Sequence, residues 1–73
     1  MARLAGISGA RAVAAFCRTG YRVIRRRGSH VILKGRGKPA LVIPLRRSLA
    51  PFLLRSQIHR AGLSEEEFLD LLK

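Results

Sequence analysis

One side chain in this sequence combines proton chemistry near neutral pH with a dense setting of fixed positive charge, and that is His30. It follows Arg25, Arg26, Arg27, Gly28 and Ser29 directly and precedes Lys34, Arg36 and Lys38. An imidazole accepts or donates a proton close to pH 7. Neighbouring cations disfavour a further positive charge, so His30 is expected to sit uncharged and able to take up a proton. Guanidinium groups grip phosphate through a rigid fork of donors, and lysine acts as a mobile point charge. Together these residues suit proton transfer beside a phosphate. Ser29 orients the imidazole, contacts phosphate, or simply completes a turn after Gly28. A lone histidine is more often a surface or structural residue than a catalyst, and position alone leaves both readings of His30 open. The second histidine, His59, stands beside Arg60 and off the apolar stripe of its segment, and reads as a surface residue.

The charge balance supports an anionic partner. Fifteen Lys and Arg face four acids in 73 residues, a formal net charge of +11. The acids are Glu65, Glu66, Glu67 and Asp70, so no carboxylate side chain precedes Ser64. Solubility alone is usually served by both signs intermixed. A one-signed surface of this density attracts polyanions, of which nucleic acid is the commonest. Arginine outnumbers lysine twelve to three, which suits phosphate contact.

Other classes find little support. One cysteine, Cys17, excludes an intrachain disulfide and fits a reducing compartment. Cys17 lies in an apolar helical stretch and is expected to be a small buried hydrophobe. No grouping of Cys, His and carboxylates suggests a metal site, and no cofactor motif is present. No apolar run is long enough to cross a bilayer. Residues 1–16 are acid-free with two arginines, but Ser8, Gly9 and Arg11 interrupt any secretory apolar region.

The elements that must hold these residues follow from periodicity. The 73 residues are one domain, with 48% hydrophobic residues to build a core. Residues 1–7 read as a flexible arm. Ser8 caps a helix whose stripe is Val13, Phe16 and Cys17, and Gly20 ends it. Residues 21–25 read as a strand, Arg26 to Gly28 as a turn, and residues 29–34 as a second strand. Gly35 and Gly37 bracket another turn before a third strand over residues 40–43, ended by Pro44. Residues 50–61 read as a helix with Pro51 in its first turn and a stripe of Leu54, Ile58 and Ala61. Ser64 and Glu67 form a capping box for a last helix with Phe68, Leu71 and Leu72 inward. The glutamates in its first turn complement the helix dipole.

The order α-β-β-β-α-α, with short links between strands, predicts a two-layer α+β domain: a three-stranded antiparallel meander with helices on one face. Side chains alternate along a strand. Val31 and Leu33 should turn under the helices, which leaves His30, Ile32 and Lys34 on the open face. Arg25 to Arg27 fall at the His30 end of that strand, and Lys34, Arg36 and Lys38 at the other.

These residues resemble the HicA toxin family, the mRNA interferases of HicA–HicB toxin–antitoxin pairs. The likeness is carried by Gly20-Tyr21, Arg25 and Gly28-Ser29-His30. It continues through Val42-Ile43-Pro44, Leu54-Arg55-Ser56 and Ala61-Gly62-Leu63-Ser64 to Glu67-Phe68-Leu69, with Ser8-Gly9 before the first helix. It covers the chain from Ser8 to Leu72. Departures from the family pattern fall at Leu45 and Arg46, at Phe52 and Leu53, and at Gln57. The resemblance implies a fold similar to a double-stranded-RNA-binding domain. It implies a cytoplasmic endoribonuclease that acts on mRNA, with the histidine of Gly-Ser-His, here His30, as the catalytic residue. It further implies a HicB-like antitoxin that covers the His30 face. No DNA is expected as a direct ligand.

RNA carries its own nucleophile, the ribose 2′-hydroxyl. On this reading His30 is the general base, or the acid to the leaving oxygen. Arg25, Arg26, Arg27, Ser29, Lys34, Arg36 and Lys38 bind RNA phosphate. The rival readings are a non-catalytic RNA-binding module of the same fold, and an inactive relative whose ligand is the HicB-like protein.

Overall fold

The computed structural model describes residues 3–73. Its elements are α1 (Gly9–Cys17), β1 (Arg22–Arg27), β2 (His30–Lys34), β3 (Leu41–Pro44), α2 (Pro51–Arg60) and α3 (Glu65–Leu71). The strands form one antiparallel sheet in the order β1-β2-β3, so the α-β-β-β-α-α order and the meander expected from the sequence are the observed ones.

Local sequence explains each helix start. The Ser8 hydroxyl accepts the Arg11 N–H at 3.1 Å and satisfies an orphan donor of α1. Pro51 fills the first turn of α2, where its missing N–H costs nothing. At α3 the capping box is complete: the Ser64 hydroxyl accepts the Glu67 N–H at 3.0 Å, and the Glu67 carboxylate accepts the Ser64 N–H at 2.8 Å.

The buried face of α1 is Ala12, Ala15 and Phe16, with Val13 half-buried and Cys17 exposed. This corrects the stripe read from the sequence, which had Cys17 inward. Phe16 fixes the rotation of the helix. Its ring packs on Phe68 and Tyr21, at centroid distances of 5.0 and 6.2 Å. The small alanines let α1 lie close to the sheet, and Cys17 is turned to solvent. On α2, Leu54, Ile58 and Ala61 are buried as the stripe requires. Val31 and Leu33 of β2 and Leu41 and Ile43 of β3 complete the core beneath the helices.

The flexible arm expected over residues 1–7 is corrected for its described part. Leu4 and Ile7 are core residues, and the Ile7 carbonyl accepts the Leu49 N–H at 2.8 Å. Two large aliphatic side chains were available to a small core, and burying them is worth a few kcal/mol, about 1.5–3 each. Met1 and Ala2 lie outside the described residues.

The two edges of the sheet are treated differently. Along β3, α2 supplies partners to the free backbone: Gln57 Oε1 accepts the Val42 N–H at 3.3 Å, and Arg60 donates to the Ala40 carbonyl from Nε and a terminal guanidinium nitrogen, at 3.2 and 3.0 Å. The β1 edge has no such cover, and all six of its residues are exposed.

Candidate functional site

β1 is longer than the sequence suggested. Arg26 and Arg27 belong to the strand, and the turn to β2 is only Gly28-Ser29. Gly28 has φ +59°, while Ser29 stays in the ordinary region. A positive φ at the first central residue of a two-residue turn matches the strand twist and favours glycine there. Directly after the turn, His30 opens β2 and is exposed.

Burial along β2 alternates as predicted. Val31 and Leu33 are buried, His30 and Lys34 are exposed, and Ile32 is half-buried. Residues directly opposite one another in neighbouring strands share a face, with Cβ atoms about 5 Å apart. Arg27 is opposite His30, and Pro44 flanks His30 on the other side. Arg25 is opposite Ile32, which in turn is opposite Val42. Arg22 is opposite Lys34.

A one-residue register shift between Val23 and Arg25 makes this set possible. In an unbroken strand Arg22 and Arg25 would point to opposite faces. The extra residue, Ile24, resets the alternation, as β-bulges do. Arg22, Arg25 and Arg27 therefore all share the open face with His30. Period-two counting excludes Arg22 from that face, and no local feature of the sequence marks the bulge.

The other expected contact residues divide. Arg26 is opposite Val31, on the helix side of the sheet, and its Nε donates to the Gly28 carbonyl at 3.0 Å. It braces the turn and is separated from the Arg25–Arg27 row. Ser29 is exposed in the turn, and its carbonyl accepts the Leu45 N–H at 2.6 Å. Lys34 directs its ammonium to the carbonyls of Lys38 and Gly35. The Lys38 ammonium is engaged inside the fold: it donates to the Thr19 carbonyl at 2.7 Å and lies 5.1 Å from the centre of the Tyr21 ring. Lys38 thus ties the β2–β3 turn to the end of α1 and stands apart from the open face. Arg36 is exposed at the tip of that turn. His59 is exposed on α2, as expected.

Tyr21 lies beneath Lys38 and is buried, with its hydroxyl donating to the Pro39 carbonyl at 2.8 Å. Burial raises its pKa above the usual phenol value, and Arg60 opposes the shift.

No carboxylate offsets the cations of the open face. The two ion pairs among the described residues, Arg55–Glu65 at 2.7 Å and Lys73–Asp70 at 3.4 Å, involve only α2, α3 and the last residue. Between the two basic ends of the open face runs a short apolar strip, half-buried Ile32 and exposed Val42. The face can therefore hold an anionic chain by charge at both ends and offer apolar contact in the middle. Among the described residues no three His, Cys, Asp or Glu side chains gather as metal ligands, and no helix is long and apolar enough to cross a membrane.

Fold and site together define a small, strongly basic α+β domain whose sheet presents one exposed histidine in a row of arginines. A family model described as "HicA toxin of bacterial toxin-antitoxin" matches residues 9–63, well over half of the chain. The chain belongs to the HicA toxin family, the toxins of bacterial toxin–antitoxin pairs. No curated protein matches it. The matched span holds α1, the whole sheet and α2, and stops before α3.

Proposed function

We propose that this protein is the ribonuclease of a toxin–antitoxin pair and that it cleaves mRNA with His30 as the proton-transfer residue. The supporting observation is an exposed imidazole in direct register with Arg27, on an acid-free β-face shared with Arg25, in a chain of the HicA family. His30 takes the proton of a ribose 2′-hydroxyl. The 2′ oxygen attacks the adjacent phosphorus, the bond from phosphorus to the 5′ oxygen breaks, and the leaving oxygen is protonated by the imidazolium or by water. The products are a 2′,3′-cyclic phosphate and a 5′-hydroxyl end. Arg25 and Arg27 hold the phosphate and offset the charge that builds on its oxygens.

His30→Ala should lower cleavage by about a hundredfold to ten-thousandfold and abolish growth arrest, with RNA binding retained through the arginines. Full activity in that variant refutes the mechanism. One observation favours binding without cleavage: among the described residues no second acid–base side chain shares the open face. That reading gains if wild-type protein binds RNA with steep salt dependence and yields no cut product.

The partner that restrains the toxin is a HicB-like antitoxin, which brings carboxylates to the open face and covers His30. The substrate and this partner assign the protein to the cytoplasm. Co-expression with a neighbouring acidic gene product should restore growth.

A further inference from the structure

We propose that the depression at the far end of the open face from His30, lined by Gly20, Arg22, Lys34, Gly35, Arg36 and Gly37, is a second phosphate subsite for the same polynucleotide strand. The inference rests on the reading of the His30 face as an RNA site and adds a requirement for substrate length.

The first argument is electrostatic. Arg22 lies directly opposite Lys34. Like charges in that relation destabilise a sheet, and no carboxylate pairs with either residue. The Lys34 charge meets only backbone carbonyls, no carboxylate neutralises the pair, and a bound anion would offset both cations. The second argument is geometric. The Lys34 ammonium is held by the carbonyls of Gly35 and Lys38. At least one of its three donors remains free. Arg36 closes the depression from the turn. Gly20 and Gly37 line it without a side chain to fill it.

The spacing sets the ligand. His30 and Lys34 are four residues apart on one strand, a span of about 13 Å at about 3.3 Å per residue. A stacked strand rises about 3.4 Å per nucleotide along its axis, and its phosphates are farther apart than that rise, so the distal phosphate lies at most about four nucleotides from the cleaved bond. Ile32 and Val42 occupy the interval, where sugars and bases would lie.

The test uses the intact chain and 2′-O-methyl oligouridylates of two, four, six and eight nucleotides, which cannot be cut. Affinity should rise at least tenfold between the dinucleotide and the hexanucleotide. Arg22→Gln with Arg36→Gln should remove that step. The slope of log affinity against log salt should fall by about 1.4 for the two lost single-strand phosphate contacts. A control pair, Arg55→Gln with Lys73→Gln, removes the same charge from the helical layer and should leave the step in place. Arg36→Gln alone, on an exposed turn, carries the test should the double variant fold poorly, with a slope change of about 0.7. A length step that survives the double substitution, or an equal loss in the control pair, overturns the distal subsite and leaves the His30 reading standing. Failure of the wild type to bind any of the oligonucleotides overturns both.

Discussion

Gly9→Ala sets helix propensity against packing, and the structure says which wins. Gly9 is the first residue of α1. Alanine is better than glycine inside a helix by about 0.8–1 kcal/mol, so propensity alone predicts a more stable protein. A Cβ at this position, however, would lie 2.1 Å from the Pro44 carbonyl oxygen and 2.9 Å from Leu45 Cα, both backbone atoms. Ordinary carbon–oxygen contacts are about 3.3 Å, so α1 and the segment after β3 must separate by about 1 Å. Overpacking of that kind costs about 1–3 kcal/mol. The Gly9 N–H also donates to the Arg46 carbonyl at 2.8 Å, and losing that bond costs about 1 kcal/mol more. The balance is a destabilisation of about 1–3 kcal/mol. At about 4–8 °C per kcal/mol for a domain of this size, Tm should drop by about 4–24 °C. The displacement reaches the site as well, because Pro44 stands opposite His30 and the Leu45 N–H is bonded to Ser29. RNA cleavage measured well below the melting transition should therefore fall too. Thermal melts followed by circular dichroism decide the matter: an unchanged or raised Tm refutes the close-packing argument.

Ser64→Ala removes one arm of the α3 capping box and should cost about 1 kcal/mol, seen as a Tm lower by about 4–8 °C; no change would mean α3 is held by Phe68 packing alone. Tyr21→Phe reports on alkaline stability. Burial raises the Tyr21 pKa in the folded state, so the unfolded chain releases the phenol proton first. The stabilising contribution is complete below about pH 10 and is lost as pH rises above it. Melts between about pH 8 and 11 should show the wild-type Tm falling more steeply than that of Tyr21→Phe; parallel curves would contradict desolvation of the hydroxyl. The loss of cleavage and toxicity in His30→Ala completes the set.

Much of the site's frame is written in short-range patterns. Alternation along β2 is enough to place His30 and Lys34 away from Val31 and Leu33, because one face of the sheet must be apolar and no other assignment buries both. The capping box at Ser64 and Glu67 and the stripe of Leu54, Ile58 and Ala61 are equally local, and each forms as the chain pattern requires. The arginines of β1 carry no such signal, since every residue of that strand is exposed and no apolar side sets its phase. A nine-residue helix with many alanines has a broad apolar arc, so its sequence does not say whether Cys17 faces in or out. Its rotation is settled by what Phe16 meets.

The chain's own residue order settles which elements form, where they begin, and that an uncovered β-surface carries a histidine among cations, because these depend on side-chain period, caps and the segregation of apolar from charged residues over a few positions. Interactions between segments far apart in the chain settle the rest. The extra residue at Ile24 brings Arg22 onto the His30 face, Lys38 is drawn inward to Thr19 and Tyr21, α2 closes the β3 edge through Gln57 and Arg60, and Leu4 and Ile7 enter the core. Strand register and helix docking are set by the best joint packing of all these segments, a free energy that no window of neighbouring residues contains.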